Sequence, residues 1–131
     1  MHRSSLQRRI LVVDDNRDAA ELLQILLEMD GYEVRTAYDG SQGLLEAYHF
    51  HPQVICSDLN MPVMCGFEFA QALRGSEQCR EVHLIALTAL ADDEAVRRAR
   101  AVGFNLYFTK PLNFERFSAH LRATFEHRET R

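Results

Sequence analysis

One feature limits this chain more than any other: an apolar run too short for a helix, followed by a longer stretch with apolar residues at helical spacing, about five times over. Ile10-Leu11-Val12-Val13 is a continuous apolar run, as expected of a strand covered on both faces. From Ala19 onward Leu22, Leu23, Leu26 and Leu27 recur at helical spacing until Asp30-Gly31 stops the helix. Glu33 to Ala37 is mixed in polarity and predicts a strand at a sheet edge. A second helix is expected from about Ser41 to Tyr48, before Pro52 blocks it.

Val54-Ile55-Cys56 reads as the next buried strand, ending at Asp58. After the Met61-Pro62 turn, Gly66 to Leu73 reads as a helix burying Phe69, Ala70 and Leu73. His83 to Leu87 is an apolar strand ending at Thr88. The helix after it carries Asp92, Asp93 and Glu94 first and Arg97, Arg98 and Arg100 later, an order that complements the helix dipole. Leu106-Tyr107-Phe108 forms the fifth strand, ending at Lys110-Pro111. Asn113 is placed to cap a last helix with the stripe Phe114, Phe117, Leu121 and Phe125.

Strands alternating with helices imply right-handed crossovers and an α/β fold, a parallel sheet wound on both faces by helices. Length and composition agree: 131 residues, 47% hydrophobic and 26% charged, suit one soluble domain with one core. A chain of this size needs neither a disulfide nor a metal to fold. The net charge of −4 argues against nucleic acid or an anionic membrane as the main partner. No apolar run approaches the ~20 residues that span a bilayer, and the polar, basic stretch Met1–Arg9 is no signal peptide. Cys56, Cys65 and Cys79 form no C-x-x-C pair, so free thiols in a cytoplasmic compartment are expected.

In folds of this kind ligands bind beyond the carboxyl ends of the strands, where strand order reverses. The residues there are Asp14-Asp15, Asp58, Thr88 and Lys110, with 43, 30 and 22 residues separating Asp15, Asp58, Thr88 and Lys110 in turn. Carboxylates gathered on one rim repel each other unless a cation joins them. Oxygen donors alone suit a hard divalent ion, Mg²⁺ before Ca²⁺, and no His or Cys at these ends favours zinc. Mg²⁺ beside a lysine and a threonine hydroxyl is equipment for phosphoryl groups, and an aspartate can itself be the nucleophile. The competing reading is structural: Asp14-Asp15 and Thr88 cap the helices that follow them, and Lys110 is a solvated charge. Lys110 is also the one lysine among fourteen arginines. A compact ammonium fits a crowded rim where a planar guanidinium does not.

The segments Ile10-Leu11-Val12-Val13-Asp14-Asp15-Asn16, Asp58-Leu59-Asn60-Met61-Pro62, Leu87-Thr88-Ala89 and Thr109-Lys110-Pro111, in this order and spacing, resemble the receiver domain of two-component response regulators. The resemblance runs from about Arg9 to Leu121. It implies a doubly wound (βα)5 flavodoxin-like three-layer sandwich with a five-stranded parallel sheet in the order 2-1-3-4-5. It assigns Asp58 as phosphoryl acceptor, and Asp14, Asp15, Asp58 and the backbone carbonyl of Asn60 as ligands of Mg²⁺ or Mn²⁺. Lys110 is expected to pair with Asp58 and then with a phosphoryl oxygen. Thr88 is expected to hydrogen-bond the phosphoryl group, and Tyr107 to follow it as the switch aromatic. The resemblance further implies a cis Lys110-Pro111 bond, Gly66 as the glycine after the acceptor loop, and Asn60 and Leu90 as residues that tune phosphoryl lifetime.

The donor implied is a histidine kinase or histidine phosphotransfer protein. The output implied is a downstream protein bound on the face formed by helix 4, strand 5 and helix 5, with no direct nucleic-acid contact and no membrane insertion. The expected organisation is a flexible basic tail at 1–8, a receiver domain at 9–127 and a short tail at 128–131, without an attached output domain. The alternatives are a receiver module of a hybrid histidine kinase or longer regulator, or an aspartyl-nucleophile phosphatase. The latter's D-x-D motif is replaced here by Asp14-Asp15-Asn16, and neither G-x-G-x-x-G nor G-K-S/T follows a strand. His49-x-His51 lacks further ligands and reads as surface loop. The Arg97, Arg98 and Arg100 cluster reads as a solvated helix face.

Overall fold

The computed structural model describes residues 7–89 and 92–130. Five strands and five helices alternate without exception: β1 Arg9–Val13, α1 Arg17–Met29, β2 Glu33–Ala37, α2 Gly40–Phe50, β3 Val54–Asp58, α3 Gly66–Arg74, β4 His83–Thr88, α4 Asp93–Ala101, β5 Leu106–Thr109 and α5 Phe114–Glu129. The strands form one parallel sheet in the order β2-β1-β3-β4-β5. The mixed-polarity strand β2 stands at an edge, as its composition requires.

Successive strand residues face opposite sides of the sheet, so each apolar run feeds two cores. Leu11, Val13, Ile55, Leu84 and Ala86 pack under Ala47 of α2, Phe69, Ala70 and Leu73 of α3, and Ala99 of α4. Ile10, Val12, Val54, Cys56, Ile85 and Leu87 pack under Ala20, Leu23 and Leu27 of α1 and Phe117, Leu121 and Phe125 of α5. The result is the three-layer sandwich that the alternation predicts.

Several element ends differ from the sequence-based expectation. Helix α2 runs from Gly40 to Phe50, because Asp39 accepts from the Gln42 amide at its start and His51, at φ 54°, closes it before Pro52. His49 therefore lies on an exposed helical turn rather than in a loop. Helix α5 continues to Glu129, past the border expected at 127. Residues 1–6 of the expected tail lie outside the described residues. Its last two residues join the body: the Gln7 carbonyl accepts from Gln53 Nε2 at 2.7 Å, and Arg8 forms a two-pronged ion pair with Glu129 at 2.7 and 2.8 Å. Arg98 is also more than a solvated charge, since its guanidinium lies 4.0 Å from the Phe67 ring centre.

Candidate functional site

Strand order reverses between β1 and β3, whose flanking crossovers leave toward opposite sides of the sheet. Val13 pairs with Ser57, so Asp14 and Asp58 are the next residues out on neighbouring strands. Asp58 stands level with Leu87, Thr88 with Thr109, and the Lys110 amide donates to the Thr88 carbonyl at 2.9 Å. Parallel pairing thus brings all four strand ends to one rim.

On that rim the Lys110 ammonium donates to Asp14 Oδ2 at 2.9 Å and to Asp58 Oδ2 at 3.2 Å. The other oxygen of each carboxylate is held in the same way. Asp14 Oδ1 accepts from the Asn16 amide at 3.0 Å, and Asp58 Oδ1 from the Asn60 amide at 3.1 Å. Both are aspartates bonding the backbone two residues on, and both read D-x-N in the sequence. That repeated pattern is a signal readable in the sequence itself. Burial alone lowers the Lys110 pKa, but the hydrogen bond to Asp14 and the charges of Asp58 and Asp14 outweigh it, so the ammonium is held above its ordinary value.

The helix-capping alternative has no part here. Asn16 caps α1 and Asp92 caps α4 through their own side chains, which leaves Asp14, Asp15 and Thr88 for the rim. Asp14 is buried, Asp58 nearly so, and Asp15 is exposed. All three offer a carboxylate oxygen within 4.8 Å of one another. Three oxygen donors, one of them on the exposed Asp15, fit a hard divalent ion that keeps several waters. One cation, Lys110, faces them, so a second positive charge is electrostatically welcome.

Around this group, Thr88 is fully buried at the end of β4. Tyr107 is half-buried on β5, packed against the core under α2, α3 and α4. Asn60 is exposed in the loop after β3, and Leu90 lies outside the described residues. The Lys110–Pro111 bond is cis. Gly66 opens α3 directly against the loop, where its amide donates to the Leu59 carbonyl at 3.0 Å. Cys65 is half-buried at the N-cap of α3, while Cys56 and Cys79 are buried, and all three are free thiols. Burial raises the Cys56 thiol pKa far above its ordinary value, so this thiol is inert core. His51 and His49 bring no third metal-ligating side chain with them among the described residues.

Comparison with known proteins places the geometry in context. The response regulator receiver domain family matches residues 10–122. The DNA-binding dual master transcriptional regulator RpaA of Synechocystis sp. is 36% identical over 115 residues, covering 88% of this chain and 48% of that protein. The chain therefore spans about half the length of that relative. The polar-differentiation response regulator DivK of Brucella ovis is 31% identical over 112 residues, covering 86% of this chain and 91% of that one. Among solved structures, the chemotaxis response regulator CheY4 of Vibrio cholerae superposes with a TM-score of 0.85 at 36% identity, over 89% of this chain and 98% of that one.

Proposed function

The chain belongs to the response regulator receiver family of two-component signalling, and on that premise we propose that it is a switch whose acceptor is Asp58. The observation that carries this reading is the Lys110 ammonium shared between Asp14 and Asp58 on the rim, with Asp15 beside them. Asp14, Asp15, Asp58 and the Asn60 carbonyl are the groups that would hold Mg²⁺ or Mn²⁺. When bound, that ion supplies charge that offsets the negative charge of a transferring phosphoryl group.

In this reading an Asp58 oxygen attacks phosphorus of a phosphohistidine donor, the P–N bond breaks, and the imidazole leaves with the bonding electron pair. The Asn60 amide on Oδ1 and the Lys110 contact on Oδ2 fix the carboxylate before attack, so little reorganisation remains. Lys110 then turns from Asp58 to a phosphoryl oxygen. The new oxygens draw the Thr88 hydroxyl toward the rim, and Tyr107 two strand positions before Thr109 follows inward. Differential contacts in the two arrangements shift the population between them. The changed surface is the α4–β5–α5 face, where exposed Arg97 and Arg100 stand ready for a downstream protein.

The donor is a histidine kinase or phosphotransfer protein, and the compartment is the cytoplasm. No helix among the described residues is long and apolar enough to cross a membrane. No turnover of an outside substrate is proposed, since the phosphatase motif is absent after β1. A second reading, the receiver portion of a longer regulator, is favoured by the 48% coverage of RpaA. The deciding experiment is incubation with a small-molecule phosphoryl donor and Mg²⁺, read by intact mass. One phosphoryl group is expected on the native chain and none on Asp58→Asn; labelling retained in that variant refutes the acceptor assignment.

A further inference from the structure

The end of the sheet opposite the acidic rim holds a second cluster of ligating groups. His83 opens β4 and His120 lies on α5, and their Nε2 atoms face each other at 3.1 Å. Thr124 Oγ1 stands 3.3 Å from the same His120 nitrogen. An imidazole nitrogen carries either one proton or one lone pair, so His120 Nε2 cannot serve both neighbours fully. The cluster opens into a cavity of about 400 Å³ that Glu81, Asn105 and His127 also line.

We infer that His83 Nε2 and His120 Nε2 form a binding site for a borderline transition-metal ion of the Zn²⁺ class, with water from the cavity completing its coordination. Two nitrogens each about 2.0–2.1 Å from a tetrahedral zinc stand ~3.3–3.4 Å apart, a few tenths of an ångström from the spacing seen. Thr124 Oγ1 is placed to hydrogen-bond a water on the metal. Phe108 and the rings themselves fix the geometry: the two imidazole centres stand 5.2 Å apart with planes tilted by 34°, and Phe108 lies edge-on to His120 at 5.9 Å.

Metal binding needs neutral imidazoles. Burial first, then His120, Arg128 and Arg74, lowers His83 to about 4, and burial also lowers His120, so both rings are neutral at physiological pH. The arginines that repel a proton also repel a metal ion, which excludes weakly imidazole-binding Mg²⁺ and Ca²⁺ and leaves ions with a strong preference for nitrogen. Neither Nδ1 has a protein acceptor among the described residues. Missing outer partners weaken such sites by about 10–100-fold, so reversible rather than structural binding is the expectation.

The site lies at the start of β4 and the acidic rim at its end, roughly 16 Å apart by strand rise, so the two can be loaded separately. The test is titration of the untagged full chain with zinc chloride in excess Mg²⁺, followed through histidine side-chain ¹H–¹⁵N resonances. The His83 and His120 signals should move together at substoichiometric zinc, ahead of those of His49, His51 and His127, and do so equally in Asp58→Asn. In calorimetry, His120→Gln and His83→Gln should each weaken binding by at least about 10-fold, and His49→Ala/His51→Ala should leave it intact. The inference is overturned if the two signals stay still, if the His49/His51 variant abolishes binding, or if either single variant binds zinc as tightly as the native chain. The native-chain titration decides the matter even if a variant does not fold.

Discussion

Gly66 runs so close to Asp58 that a β-carbon on it would stand 2.4 Å from the Asp58 carbonyl oxygen. The neighbouring obstacle, Leu59 Cα at 2.7 Å, is also backbone, so no flexible side chain can give way. Gly66→Ala must therefore push the start of α3 away from the loop that carries Asp58. Overpacking of this kind costs about 1–3 kcal/mol, and a clash with backbone belongs at the upper end. Urea denaturation should show that loss, together with slower phosphorylation from a small donor. An unchanged midpoint would mean that the helix and loop can separate freely.

Lys110 touches the Asp14 and Asp58 carboxylates through one ammonium, and the chain places its single lysine there. Lys110→Arg keeps the charge but replaces a compact donor by a broad planar fork. The variant should fold and keep most of its stability. Its response should fail: the amide spectrum of the phosphorylated variant should lack most of the shifts that phosphorylation produces at Thr88 and Tyr107 in the native chain. A full set of shifts would show that any cation serves at this position.

Asp14, Asp15 and Asp58 crowd three carboxylates against one cation. Removing one of them relieves repulsion, so Asp58→Asn should be more stable than the native chain in EDTA, by on the order of 0.5–1 kcal/mol. Mg²⁺ should reverse the order. A ligand at 100 times its dissociation constant stabilises by about 2.7 kcal/mol, and the native chain should gain toward that figure while Asp58→Asn gains far less. Thermal melts of both proteins with and without Mg²⁺ test this, and equal gains would place the ion elsewhere.

Strand ends were legible in the sequence because each is a step from apolar to polar over one or two residues. Asp14, Asp58, Thr88 and Lys110 stand out for that reason. The edge position of β2 was legible from its mixed polarity alone. Distances between those ends were not, since they depend on register: Lys110 meets Asp14 across 96 residues of chain. Cap competition hid the rest. Asp14-Asp15 is a plausible cap until Asn16 is seen to fill that role. His83 and His120 were invisible as a pair, because one reads as the first residue of a strand and the other as a polar position on a helix. Arg8 reads as part of a tail, because a lone arginine before a strand carries no sign of its partner Glu129, which lies 121 residues on.

Tyr32 marks where that terminal clamp meets the core. Its ring centre lies 5.3 Å from that of Phe125, with the planes tilted by 32°, and Arg8 lies over the same Phe125 ring at 5.6 Å. Burial raises the Tyr32 phenol above its ordinary value, a rise that nearby Arg8 opposes only in part. The folded state therefore holds this proton more tightly than the unfolded chain does. Below the ordinary tyrosine value near 10 the phenol is protonated in both states, and its contribution to stability is fully present. As pH climbs past that value the unfolded chain ionises first, so stability falls until the folded phenol titrates too. Stability measured by urea unfolding from pH 9 upward, about the ordinary tyrosine range, should decline more steeply for the native chain than for Tyr32→Phe. Parallel stability curves for the two proteins would show that the phenol is wetter than its packing implies.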